Sequence, residues 1–275
     1  MQRTLKLLAL GICANALVAA PVSAQVAPDV TLTRLADCGT PQAPTEVNLR
    51  FSDTYAFDDL KVQFVFSCYL IKHGNNYMLW DTGHSMTAPN VAPKISVVDQ
   101  LAKLGVKPEQ IHYVGISHYH GDHTGQVASF PQATLLIGQG DWNAITAPKP
   151  AAGVNAPPFA HWISGGGKVE PLPADKDVFG DGSVVILNTP GHTPGHHSLL
   201  VKLREKGNFL ITGDLVHFHE NYNSNGVPWF NVSRADTLAS IDRFKKLAQT
   251  FRATVIIQHD ARDIGKLPAF PNGEK

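Results

Sequence analysis

Ser117-His118-Tyr119-His120-Gly121-Asp122-His123 gathers three imidazoles and a carboxylate into one short run. It follows Ile111–Ile116, an apolar stretch that reads as a buried strand. His118 and His120, two positions apart, point to the same side of an extended segment. Asp122 and His123 come where the chain must turn into Thr124-Gly125, so they face a second, neighbouring point. One loop can therefore feed two adjacent metal ions, and a borderline cation such as Zn²⁺ accepts imidazole and carboxylate together. Two His do not close a site, so distant ligands are needed. His192 and His259, each at the end of an expected strand, are candidates, and Asp214 offers a carboxylate able to bridge two ions.

The rest of the chain narrows the chemistry. Its 275 residues carry 23 basic and 23 acidic side chains, which argues against a general nucleic-acid binder. Thirteen His against three Cys puts any metal chemistry on imidazole rather than thiolate. No Gly-x-Ser-x-Gly elbow supports a serine hydrolase. Met1–Ala24 reads as a secretory signal: Arg3 and Lys6 start it, Leu7 to Ala20 is apolar, and Val22-Ser23-Ala24 suits cleavage. Its removal leaves residues 25–275 as a single, slightly acidic domain, exported to the periplasm or beyond, with no further span for a membrane. Cys38 and Cys68 then remain, either as a disulfide or as two small buried side chains.

Strands are expected at Thr31–Ala36, Val62–Ile71, Tyr77–Asp81, Thr134–Ile137, Val184–Leu187, Ser198–Leu203, Phe209–Thr212 and Thr254–Ile257. His73-Gly74-Asn75-Asn76 and Glu205-Lys206-Gly207-Asn208 read as hairpin turns. Helical spacing predicts helices at Ser96–Leu104 and after Ser233, where Ser233 and Asp236 form a capping-box pattern and Leu238, Ile241, Phe244 and Ala248 share a face. Ala147–Gly167, rich in Pro, Ala and Gly, reads as a long loop or lid. This order suggests an α/β sandwich, two sheets inside and helices outside. Asp81, the His118 segment, His192, Asp214 and His259 each follow an apolar strand, so loops at one end would bring them together.

His118-Tyr119-His120-Gly121-Asp122-His123 resembles the His-x-His-x-Asp-His signature of the metallo-β-lactamase superfamily. Asp81-Thr82-Gly83, Thr189-Pro190-Gly191-His192-Thr193-Pro194-Gly195-His196, Gly213-Asp214 and His259 resemble its other landmarks in the same order. Cys68-Tyr69-Leu70-Ile71, Leu79-Trp80-Asp81-Thr82-Gly83 and Gln258-His259-Asp260 look most like the N-acyl homoserine lactonase group. The resemblance implies a four-layer αβ/βα sandwich and two zinc ions. His118, His120 and His192 would hold the first, Asp122, His123 and His259 the second, and Asp214 would bridge them. It also implies supporting parts for His196 and Asp81. One departure touches the substrate. The lactonases carry Tyr three residues after the bridging Asp, where this chain has His217, with Tyr222 nearby.

The activity implied is hydrolysis of a lactone or ester by attack of a metal-bridging hydroxide, with Asp122 relaying the proton and His217 donating a hydrogen bond in the Tyr's stead. Trp162, Trp229 and Phe230 are candidates to hold an acyl chain or simply to pack under long loops. A metallo-β-lactamase or phosphotriesterase of the same superfamily, or a non-catalytic metal-binding homologue, are the competing expectations. Asp214 counts against the β-lactamase, since those enzymes generally lack a bridging carboxylate at this place.

Overall fold

The computed structural model describes residues 29–151 and 153–275. The expected signal segment lies outside the described residues. Thirteen strands are described: β1 Val30–Arg34, β2 Thr45–Glu46, β3 Lys61–Val62, β4 Tyr69–His73, β5 Asn76–Trp80, β6 Ile111–Ile116, β7 Thr134–Gly138, β8 Val169–Leu172, β9 Lys176–Asp177, β10 Val184–Asn188, β11 His197–Leu203, β12 Gly207–Ile211 and β13 Thr254–Ile256. One sheet runs β1-β4-β5-β6-β7-β8 and the other β13-β12-β11-β10-β9, while β2 and β3 pair by themselves. In the first sheet β5 to β8 are parallel, and in the second only β12 and β13 are.

Alternation along the strands builds the layers. Met78 and Trp80 of β5, Leu136 of β7, Leu199 and Val201 of β11, and Phe209 and Ile211 of β12 meet in a core between the sheets. Their neighbours Leu79, Leu135 and Ile137 face outward onto the helix Val97–Lys103. Leu200 and Leu210 face outward onto the helix Arg234–Thr250. Strands buried on both faces read as continuous apolar runs, which is why these segments stood out in the sequence. The result is a four-layer αβ/βα sandwich, the architecture that the resemblance implied. Among the described residues no helix is long and apolar enough to cross a membrane.

Local chemistry sets the ends. Gly74, at φ +57°, turns β4 into β5, with His73 paired to Asn76. Ser96 caps its helix by accepting from the Asp99 N–H at 3.0 Å, and Ser233 caps the later one through the Asp236 N–H at 3.2 Å. That later helix buries Thr237, Ser240, Ile241, Phe244 and Ala248, leaving Leu238 at the margin of the face.

Two expectations need correction. Val62–Ile71 is not one strand: residues 63–68 leave the sheet between β3 and β4 to wrap the functional site, pairing only at the Phe64–Asp260 bridge. Ala147–Gly167, read as a long loop or lid, is a loop over the described residues of 147–156 and packed helical turns after it. Pro157–Phe159 and Ala160–Ile163 are helical turns, and Phe159 and Trp162 are buried in the outer core. Of the two states left open for the cysteines, Cys38 and Cys68 are disulfide-bonded, with Cα atoms 6.0 Å apart.

Candidate metal centre

The loops after β6, β10, β12 and β13 deliver the seven side chains to one place, in two donor groups that share Asp214. In the first, His118 Nε2 lies 2.9 Å from His120 Nδ1 and 3.2 Å from His192 Nε2, and His192 Nε2 lies 3.0 Å from His120 Nδ1. Asp214 Oδ2 completes it, 3.5 Å from His118 and 3.3 Å from His192. In the second, His123 Nε2 and His259 Nε2 are 3.2 Å apart, with Asp214 Oδ1 at 3.1 and 2.8 Å and Asp122 Oδ2 at 3.6 and 3.7 Å. Ligands about 2.0–2.1 Å from a tetrahedral zinc ion stand about 3.3–3.4 Å from one another. Both groups have that spacing.

The proton inventory makes the same point. His123 Nδ1 donates to Asp81 Oδ2 at 2.8 Å, and His259 Nδ1 donates to the Val65 carbonyl at 2.6 Å. His192 Nδ1 donates to Asn231 Oδ1 at 2.8 Å, the amide being oriented by its own donation to Thr237 Oγ1. His118 Nδ1 lies 3.0 Å from Ser117 Oγ, whose proton goes to Asp81 Oδ2. Each ring thus anchors its Nδ1 outward and turns its Nε2 inward, where deprotonation leaves a lone pair facing other ligand atoms and a carboxylate. Lone pairs aimed at one point in a dry site call for a cation between them, so the residues fit two metal ions.

Burial and charge act differently on the two groups. Burial holds His118 well below its ordinary pKa and lowers His120 to about 4, so both stay neutral. Burial also opposes protonation of His123 and His259. There Asp214 and Asp122 prevail and raise both, well above the ordinary value for His123, which Asp81 also faces. Asp214 is buried, yet His259, His123 and His118 around it keep its carboxyl well below the usual range.

The donors stand on a shell of supports, of which Asp81 and His196 are expected from the resemblance and Asp141 and Asn231 are not. Asp81, in the left-handed region at φ +57°, accepts from Ser117 N–H, Ser117 Oγ, His123 Nδ1 and Gln258 Nε2 within 2.7–2.9 Å. His196 donates from Nδ1 to the Thr189 carbonyl and accepts the Asp214 backbone N–H at Nε2, 2.9 Å away. A Cβ at Gly213, φ +56°, would sit 2.7 Å from that Nε2, so only glycine lets the two approach. Asp141 accepts from Tyr119 N–H, Thr193 Oγ1 and Gly195 N–H, tying the His118 loop to the His192 loop. Burial pushes its carboxyl up to about 7 despite those bonds. Asp141 and Asn231 sit in no motif, and only the folded contacts single them out; Gln258 belongs to the Gln258-His259-Asp260 stretch, but its bond to Asp81 appears only in the fold.

His217 lies at the site, with Nε2 3.2 Å from Asp214 Oδ2 and its ring stacked at 5.6 Å on His259. Tyr222 does not replace it: that ring packs on Phe244 and beneath Lys245, in the core of the second sheet's outer face. A cavity of about 260 Å³ opens beside the centre, lined by His120, Asp122, Asp214, His217 and the rings of Phe51, Phe64 and Phe230. Of the three acyl-chain candidates only Phe230 lines it, since Trp162 is core and Trp229 is 76% exposed.

The metallo-beta-lactamase superfamily model matches residues 65–259. The N-acyl homoserine lactonase AttM of Rhizobium radiobacter is 33% identical over 178 residues, 59% of this chain and 63% of that protein. The chain thus spans just under two thirds of that relative's length. An N-acyl homoserine lactone hydrolase solved with N-hexanoyl-L-homoserine at its catalytic metal centre shares the fold at a TM-score of 0.73 and 21% identity, covering 90% of this chain and 100% of that one. The dizinc quorum-quenching lactonase AidC shares it at 0.62 and 18%, covering 90% of each chain. The matched region runs from the Val65 that holds His259 to His259 itself and contains every convergent side chain described above, and the chain belongs to the metallo-β-lactamase superfamily.

Proposed function

We propose that the protein is a dinuclear metal-dependent hydrolase that opens lactone or ester bonds as N-acyl homoserine lactonases do. The observation that carries this reading is the split carboxylate of Asp214, with Oδ2 in the first donor group and Oδ1 in the second. Two divalent ions bound there, of which zinc suits the donors, would supply Lewis acidity toward a carbonyl oxygen and lower the pKa of a water toward neutrality. His118, His120 and His192 would hold the first ion and Asp122, His123 and His259 the second, with one oxygen of Asp214 in each donor group.

The chain's own groups then divide the work. Asp122, partly exposed to the cavity, takes up and relays the proton of the attacking water. Burial lowers His217 to about 4, so it is neutral with a single N–H. That proton lies on the nitrogen facing Asp214 Oδ2, beside the cavity, where an arriving substrate carbonyl shares it. Phe51, Phe64 and Phe230 exclude water from one wall and offer apolar contact to an acyl chain. The Cys38–Cys68 disulfide supports a periplasmic or secreted location, since such bonds persist in oxidising compartments.

The test is a hydrolysis panel with defined zinc content: N-hexanoyl-homoserine lactone, a p-nitrophenyl ester, nitrocefin and a phosphotriester. The expected result is kcat/KM on the lactone or ester about a hundredfold above the other two. Faster turnover of the β-lactam or phosphotriester would replace this reading with that enzyme class. Two bound ions without any turnover would make the protein a metal binder.

Metal loading should depend on pH in two stages. His118 and His120 are biased neutral, so the first ion displaces no proton from them near pH 7. His123 and His259 are biased toward the charged form, so the second ion must expel protons and its affinity falls as pH drops. Zinc content measured after desalting at stepped pH should fall from two ions to one well before the last is lost. Simultaneous loss of both would contradict the asymmetry.

A further inference from the structure

We propose that a second lobe of the active-site cleft, formed by Arg50, His84 and Gln42, is a carboxylate-recognition subsite, and that the preferred substrates carry an acyl group ending in a carboxylate. This rests on the lactone or ester reading and names its substrate class. The lobe has a volume of about 200 Å³ and shares Arg50, Phe64 and Asp122 with the cavity beside the donor groups. The two are arms of one cleft that meet above the second donor group.

Arg50 ends the short helix Val47–Arg50, which is pinned by bonds from Val47 N–H to the Leu60 carbonyl and from Asn221 Nδ2 to the Phe51 carbonyl. Its guanidinium lies 5.3 Å from the centre of the Phe51 ring and 5.9 Å from that of Phe230. Aromatic contact orients the planar group, and Arg50 lines both arms of the cleft. Among the described residues no carboxylate lies within ion-pair distance of Arg50, and the cation accordingly has no internal partner. An oriented guanidinium without such a partner matches a carboxylate in two parallel hydrogen bonds.

His84 and Gln42 add donors to the same lobe. The His84 ring is clamped, edge-on to Phe66 at 4.4 Å, with its backbone N–H on the Cys38 carbonyl and its own carbonyl on Gln126 Nε2. Its Nε2 is buried and has no hydrogen-bond partner among the described residues. Gln42 is fixed by its backbone N–H to the Phe64 carbonyl and lines the lobe. The opposing charge is Asp122, the carboxylate shared by both arms, and its Oδ2 is directed at His123 and His259, as expected of a ligand. An acyl chain entering past Phe64 would thus reach three polar side chains where an unsubstituted alkyl chain finds no apolar surface beyond the phenyl rings.

The experiment compares homoserine lactones acylated with hexanoate or with one end of hexanedioate, and the matching p-nitrophenyl esters, on zinc-loaded enzyme. The expected result is a kcat/KM about tenfold higher for the hexanedioyl member of each pair. Arg50→Met should erase that preference, Arg50→Lys should keep part of it, and raising NaCl should shrink it. Equal rates for both acyl groups in the wild type, or a preference untouched by Arg50→Met, would overturn the subsite. Ester cleavage without lactone opening would instead sink the lactone reading while leaving the acyl comparison readable. If nothing is hydrolysed, the affinity ratio of hexanedioate to hexanoate on the zinc-loaded protein decides. Attachment of a carboxylate to metal is common to both ligands, so a ratio near one would overturn the subsite.

Discussion

Asp214→Ala eliminates hydrolysis, with kcat/KM falling about a thousandfold or more, and leaves the protein unable to keep two zinc ions through desalting. Deleting a single oxyanion-hole donor elsewhere in enzymology costs about a hundred- to a thousandfold, and Asp214 does more than any one donor. Its two oxygens complete both groups, at 3.3 and 3.5 Å from the first and 2.8 and 3.1 Å from the second. It is also the anion that balances His123 and His259. Alanine leaves three His facing one another in one group and two His with one carboxylate in the other. Asp214→Asn should be intermediate in metal content, because one amide oxygen still ligates while the NH₂ repels the other ion. Circular dichroism separates loss of the centre from loss of the fold. Activity within tenfold of wild type, with two ions retained, would refute the bridging role.

Replacing Cys38 and Cys68 by Ser should lower the unfolding free energy by about 3–4 kcal/mol. Their sequence separation is 30 residues, and closing a loop of that size is worth about that much in chain entropy. Both cysteines are fully buried, so the two hydroxyls also enter an apolar core without arranged partners. The bond lies against the Asp81-Thr82-Gly83 turn. The Cys38 carbonyl accepts the His84 N–H at 2.8 Å, and a Cβ at Gly83 would sit 2.5 Å from that same oxygen. Urea unfolding with and without reductant measures the effect. A midpoint shift equivalent to less than about 1 kcal/mol would show that native packing, not the crosslink, holds this corner.

The parts of the molecule legible in the sequence were those whose signals are local. The apolar strands, the turn at Gly74, the Ser233 cap and the His118–His123 run each declare themselves within a few residues. The outer ligands were legible because His192, Asp214 and His259 each stand just past a strand. What was not legible depends on contacts across long separations. Asp141 meets Gly195, and Gln258 meets Asp81, only after both sheets have formed. Residues 63–68 have strand-like composition, but their carbonyls and rings are used on the site, where Val65 holds His259 and Phe64 stacks on it at 4.1 Å. Composition also misled over the later part of Ala147–Gly167, since two buried aromatics outweigh the flexibility that Pro, Ala and Gly suggest.

Each donor group draws from both sheets. His118, His120 and His123 follow β6 of one, while His192, Asp214 and His259 follow strands of the other. Beyond the hydrogen bonds of Asp141 and Gln258, the two halves meet through an apolar seam that has no directional preference. The donor groups add to the direction those bonds give: a cation seated there would work as a clasp that sets the rotation and spacing of one half against the other. Small slips along the seam, which hydrophobic contact would tolerate, would pull the ligands out of register. Metal occupancy and the alignment of the sandwich are therefore linked, and each stabilises the other.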